Sequence, residues 1–192
     1  MGLFDFLSKK LENQYFDEGK KFFDDGMASD KIHDIFDTEI ATSSNNTFAF
    51  SDALSARLKE WSTLGFYIEA VDSFDKAIAI KQDYAEAWFY RGLALLKLRR
   101  GKEAPDNLNI TINGKEILLT KREWDSEAIE SFDKAIAIKP DYAEAWYYRG
   151  GALGNLGRYS DAVISFDKAI AINQDYADAK YYRDIALKKL SS

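Results

Sequence analysis

An all-α solenoid of stacked helical hairpins, interrupted by one β-hairpin, is the fold class that this 192-residue sequence predicts. Three observations predict it. The stretch "SFDKAIAIKQDYAEAWFYRG" at 73–92 returns as "SFDKAIAIKPDYAEAWYYRG" at 131–150 and again as "SFDKAIAINQDYADAKYYRD" at 165–184. The second spacing is 34 residues and the first is 58, so 34 reads as the period and the excess of 24 as an insertion. A fixed period of this size marks units that cannot bury their apolar faces alone and therefore stack. The third observation is Asn113-Gly114 within the extra residues, a strong signal for a two-residue hairpin turn because both central residues take positive φ.

Each unit predicts two helices. Val163, Phe166, Ala169 and Ile170 fall on one stripe of an amphipathic helix, and Trp146, Gly150, Leu153 and Leu156 make a second stripe. Between the stripes, Asp141 with Glu144 and Asp83 with Glu86 have the spacing of a capping box that starts a helix. Gly157 and Gly65 stand at the other junction, where a helix end favours a residue that tolerates positive φ.

These residues resemble a known pattern. Trp146, Gly150, Leu153, Tyr159, Ala162, Phe166, Ala169 and the preceding Pro140 are similar to the tetratricopeptide repeat (TPR) signature. The resemblance covers about 51–192, which implies about three repeats and a C-terminal cap helix over Asp175 to Leu190. The sequence departs from the pattern at Leu58, where the first unit should carry Gly, and at Gln82 and Gln174, which replace Pro. Lys180 and Asp184 replace the Trp and Gly of the last half unit, polar substitutions of the kind a terminal repeat uses to face solvent. Residues 1–50 read as a helical N-terminal region. There Tyr15, Gly19, Gly26, Ser29, Asp30 and, with a one-residue slip, Phe36 echo Trp146, Gly150, Gly157, Ser160, Asp161 and Phe166, leaving open a degenerate extra repeat over about 12–40.

The insertion spans about 102–125. A two-residue turn pairs Ile112 with Lys115, Ile110 with Ile117 and Leu108 with Leu119, which gives one apolar face and one mostly polar face. A lone two-stranded hairpin is marginal in water, so Leu108, Ile110, Ile112, Ile117 and Leu119 are expected to be covered, by the protein's own helices or by a partner surface.

Composition excludes several function classes. The net charge is −6 with pI near 5.0, which disfavours a nucleic-acid partner, and residues 1–50 carry ten acids against five bases. With no cysteine there are no disulfides and no thiolate metal sites, and a cytoplasmic location is expected. No apolar run approaches the length of a membrane span. Leu3, Phe4, Phe6, Leu7 and Leu11 share a helix face that is expected to pack on the solenoid or on a second chain, with weak interfacial membrane contact as the alternative. His33 is the one histidine, so no zinc set or catalytic dyad can be assembled from histidines. "RGGALGNLG" has the glycines of a phosphate loop without its strand-to-helix setting. No catalytic residue, metal or cofactor is expected.

The TPR resemblance implies a concave groove lined by the first helix of each unit. Its positions fall on Ser55, Lys59, Ser62, Phe89, Leu93, Leu96, Tyr147, Gly151, Gly154, Tyr181 and Ile185. Members of the family that clamp a C-terminal carboxylate use Lys, Asn and Arg at such places, whereas here most are aromatic, aliphatic or Gly. The expected function is a non-enzymatic protein-interaction adaptor that takes a peptide or helix. The alternative is a structural subunit, monomer or weak homodimer, that self-associates through the hairpin and the N-terminal helix. Gly151 and Gly154 predict a hollow on the groove side, for a partner's apolar side chain or for the protein's own Phe4, Phe6 or hairpin.

Overall fold

The computed structural model describes residues 3–42, 49–100, 107–112 and 115–191, with side chains over 7–28, 30, 63–99 and 120–191. The described residues form helices α1 (Leu3–Thr42), α2 (Ala49–Ile80) and α3 (Ala85–Arg100), strands β1 (Asn107–Ile112) and β2 (Lys115–Thr120), then helices α4 (Lys121–Ile138), α5 (Ala143–Asn155), α6 (Tyr159–Ile172) and α7 (Ala177–Leu190).

Three glycines show how the helices pair. A Cβ on Gly150 would stand 2.7 Å from the Phe166 ring, one on Gly92 2.7 Å from Phe132, and one on Gly19 2.7 Å from Phe74. In each case a bulky ring fills the space that glycine leaves open. The pairs are therefore α1 with the C-terminal part of α2, α3 with α4, and α5 with α6. Leu58 is not the first unit's counterpart of the packing glycine, because Gly19 holds that place. Nor does Phe36 mirror Phe166, because Phe74 meets Gly19.

Glycine and ring are 16 residues apart in the third unit, 40 in the second and 55 in the first. Both excesses fall between the two helices of a unit. In the second unit the extra residues include β1 and β2, paired antiparallel with Ile112 opposite Lys115, Ile110 opposite Ile117 and Leu108 opposite Leu119. β1 lies against α2, and β2 runs directly into α4. In the first unit, α1 and α2 continue past the unit as helices. Gly65 accordingly closes no junction. It lies inside α2, and among the described glycines only Gly157 has positive φ, at 76°. There the Gly157 amide donates to Gly154 O at 3.0 Å and the Arg158 amide to Leu153 O at 2.9 Å, the paired bonds of a Schellman ending.

The expected capping box at Asp141 and Glu144 does not form, since the N-cap of α5 is Tyr142, without a side-chain cap bond. The cap position serves packing instead. Tyr84, Tyr142 and Tyr176, each just ahead of a helix, lay their rings on Phe16, Phe89 and Tyr147 of the preceding unit, at 4.7, 4.7 and 4.9 Å between centroids. A capping box does start α4, where Thr120 Oγ1 accepts from the Glu123 amide and the Thr120 amide donates to Glu123 at 2.7 Å.

The repeated "SFD" and "YRG" letters form a ladder between units. Arg91 Nε donates to Asp75 at 2.7 Å and its Nη1 to Ser131 at 2.7 Å, and Arg149 repeats this with Asp133 at 2.6 Å and Ser165 at 2.7 Å. One guanidinium thus joins the second helix of one unit to the second helix of the next. Arg183 reaches Asp167 at 3.5 Å but turns its other nitrogens onto Asp184. The repeated indoles have a similar role within the connection, with Trp88 donating to Gln82 O at 2.9 Å and Trp146 to Pro140 O at 3.0 Å.

Buried tyrosines give the fold an alkaline limit. Burial first, and then its bond to Asp30 at 2.6 Å, hold the Tyr67 hydroxyl well above the ordinary tyrosine range. Burial also leads for Tyr84, pushed up to about 12, and for Tyr142 and Tyr176, which are raised further. Between about pH 10, where exposed tyrosine ionises, and these raised values, the folded chain binds more protons than the unfolded one. Stability is therefore expected to be full below about pH 10 and to fall as pH rises above it. Urea titrations at stepwise higher pH check this, and a midpoint that rose above pH 10 would contradict it.

Candidate functional site

The first helix of each unit, and α7 as the fourth of the series, contribute equivalent positions to one concave surface. One residue beyond the packing position stand Lys20, Leu93, Gly151 and Ile185; four beyond it stand Phe23, Leu96, Gly154 and Lys188. Side chains are large on α1 and α3 and absent on α5. A cavity of about 590 Å³ opens there. No atom lies within 4 Å of a Cβ added to Gly151 or to Gly154, so these glycines relieve no contact and leave open space.

Of the groove residues expected from sequence, Leu93, Leu96, Tyr147, Gly151, Gly154 and Ile185 come together on this cavity. Phe89 and Tyr181 are corrected. Phe89 is 6% exposed and does not line the cavity, because Tyr142 and Phe132 cover it. Tyr181 holds the same repeat position but has no following unit to cover it. It is 64% exposed and does not line the cavity, while its neighbour Tyr182 does. The side chains of Ser55, Lys59 and Ser62 lie outside the described residues, as do those of Leu108, Ile110, Ile112, Ile117 and Leu119, of His33, and of Phe4 and Phe6. By the register that Gly19 sets, the first unit's groove positions are Phe16, Lys20 and Phe23. Phe23 and Met27 of α1 form one wall of the cavity. Leu7 and Leu11, expected to pack on the solenoid or on a second chain, are exposed and so do not pack on the solenoid.

Sequence reasoning missed Lys97, Asn155 and Lys189 on the polar side of the cavity. Lys97, Arg99, Asn155 and Lys189 line it, and no Asp or Glu does. Lys97, Asn155 and Lys189 share one repeat position, five residues beyond the packing position, so a correct register would have aligned them. Each lies in the last turn of its helix, where the backbone carbonyls favour a cation or donor. Acids hold two of them from behind. Lys97 Nζ lies 2.8 Å from Asp30, whose oxygen also accepts from Tyr67. Arg99 Nε lies 2.6 Å from the buried Asp125, and Asn155 donates to the other Asp125 oxygen at 3.0 Å. The site is an apolar hollow floored by backbone, with aromatic walls and a cationic end. No helix among the described residues is long and apolar enough to cross a membrane.

Family models fall on the same helices. A TPR repeat model matches 119–157, and two tetratricopeptide repeat models match 143–176 and 63–109. The chain belongs to the tetratricopeptide repeat family. No curated protein matches this TPR chain over its sequence.

Solved TPR domains share its fold. The first TPR of Spaghetti (RPAP3), solved bound to the HSP90 peptide SRMEEVD, is 17% identical; the match covers 67% of this chain and 82% of that one, with a TM-score of 0.53. The Arabidopsis OM64 TPR domain is 21% identical over 64% of this chain and 81% of that one, with a TM-score of 0.50. The Sgt2 TPR domain from Aspergillus fumigatus is 17% identical over 73% and 76%, with a TM-score of 0.50.

Proposed function

We propose that this TPR protein is a non-enzymatic interaction adaptor whose concave surface holds a peptide or helix of another protein. A bulky apolar side chain of that partner occupies the hollow over Gly151 and Gly154. The observation that carries this reading is the pair of glycines in open space. Gly in a helix interior costs about 1 kcal/mol relative to Ala, and neither residue relieves a contact within the fold. An apolar cavity with a few placed polar groups is the usual form of a binding site. A structural neighbour bound to a peptide supports the same reading.

The test is Gly154→Leu. The new side chain meets no protein atom at its Cβ and enters the cavity, so the variant is expected to be as stable as the parent or more so, by up to about 1 kcal/mol. Peptides selected from a displayed random library on the parent protein should bind Gly154→Leu at least about tenfold more weakly, a difference of about 1.4 kcal/mol. Parent-like affinity in a folded Gly154→Leu protein would show that peptides bind elsewhere.

A further inference from the structure

We infer that two copies of this chain pair through α7, antiparallel and about a twofold axis. In the inner units a second helix packs over the first, α4 over α3 and α6 over α5, whereas no helix follows α7 among the described residues. Lys180 and Asp184, in place of the repeated Trp and Gly, suit a solvated end. Tyr181 does not. It holds the position of Phe89 and Tyr147 and is still aromatic, yet it is 64% exposed where Phe89 is 6%. Ile185, one turn on, is exposed as well, and neighbouring exposed apolar side chains of this kind mark an interaction surface.

The residues around them name the occupant. Asp178, Tyr181, Ile185 and Lys188 are all exposed and stand at i, i+3, i+7 and i+10, the spacing of a seam between two helices. Their order is acid, apolar, apolar, base, which is its own complement when reversed. Two α7 helices laid antiparallel set Asp178 of each opposite Lys188 of the other, and Tyr181 of each opposite Ile185 of the other. A twofold interface requires this kind of patch, in which residue i meets j and j meets i. A second copy of the chain therefore supplies both the charges and the apolar pair that the stripe calls for.

The flanks tolerate the same register. It sets Lys180 opposite Ala186, Asp184 opposite Tyr182 and Lys189 opposite Ala177, so none of these charges meets its like. The axis falls at Arg183, but that guanidinium is turned aside, bonded to Asp184 at 2.9 and 3.1 Å and reaching Asp167 at 3.5 Å. The 14 residues of α7 span only about 21 Å, so the interface is small and the pair depends on concentration. Ile185 also lines the cavity. Pairing thus sets one cavity on each side of the seam, and a partner with two binding segments gains avidity from it.

Sedimentation equilibrium of the full chain over a concentration series tests the inference. The parent is expected to rise from 21.9 kDa toward twice that mass. Asp178→Lys and Lys188→Asp each set like charges opposite each other, and each should weaken association at least about tenfold. Mixed one to one, the two variants should associate about as strongly as the parent, because each supplies the charges the other lacks. Tyr181→Ser, at an exposed side chain, should weaken pairing without any change of charge. Circular dichroism checks that the variants stay folded. Asp178, Tyr181 and Lys188 do not line the cavity, so a peptide selected on the groove should bind all three variants with parent affinity, which separates loss of pairing from loss of the groove. A parent that stays at 21.9 kDa up to about 1 mM would overturn the inference and leave the α7 face to a different protein. Association that survives all three substitutions would place the contact on another surface, and charge variants that fail to associate when mixed would overturn the antiparallel pairing.

Discussion

Phe74→Ala is expected to destabilise the protein by about 3–5 kcal/mol, the range for truncating a buried aromatic ring. Phe74 is fully buried, at 0% exposure. Its ring fills the space over Gly19 and stacks on Tyr90 with centroids 5.9 Å apart, while Phe16 meets it at 5.9 Å from another side. These contacts join α1, α2 and α3. No small side chain nearby can move in, because the opposing residue is already glycine. A cavity therefore remains, and the loss includes its lining contacts as well as the transfer term. Urea denaturation measures the change, and limited proteolysis should show α1 becoming the most susceptible segment. A change under about 1 kcal/mol would contradict the pairing of Gly19 with Phe74 and hence α1 as the first helix of the first unit.

That pairing was the part of the fold hardest to see in the sequence. Repeat letters revealed the second and third units because Gly92, Gly150, Phe132 and Phe166 lie in near-identical stretches. Gly19 lies in no such stretch, and of the residues between it and Phe74 those described, up to Thr42 and from Ala49 on, fold as long helices that continue past the unit. Phe36 sits 17 residues after Gly19, close to the 16 that separate Gly150 from Phe166, and so imitates the partner by spacing alone. With the unit displaced, the groove positions of that unit were displaced too, and Phe23 was overlooked.

The site was legible in proportion to its dependence on local pattern. Gly151 and Gly154 stand out because helix propensity gives them no reason to be there, and the structure finds open space over both. Phe89 and Tyr181 were assigned to the groove by position, but whether an aromatic lines a surface or enters the core depends on what the next unit lays over it. The tyrosine ahead of the following helix covers Phe89, and no following unit covers Tyr181. Lys97 and Lys189 were missed because they fall at helix ends, where solvation is the ordinary expectation for a charge.

Asp125→Ala is expected to destabilise by about 3 kcal/mol, the lower end for removing one partner of a buried ion pair. Asp125 stands seven residues before Phe132, where the other two units place Tyr67 before Phe74 and Tyr159 before Phe166. The middle unit thus has a carboxylate where its neighbours have a ring. The hairpin insertion brings the chain into α4 just ahead of this position, and the carboxylate is satisfied by Arg99 at 2.6 Å and Asn155 at 3.0 Å. Truncation to Ala leaves Asn155 without its acceptor and Arg99 without its counter-ion. The loss stays at the lower end because the Arg99 side chain is 25% exposed and can recover water, whereas a wholly buried cation could not. Asp125→Asn keeps the shape and an acceptor for Asn155 and removes only the charge, so it should cost less than Ala, about 1–2 kcal/mol. The two variants separate packing from charge. If Ala and Asn destabilise equally, the ion pair to Arg99 is the whole interaction; if neither shifts the urea midpoint, Arg99 is held at the cavity by something other than Asp125.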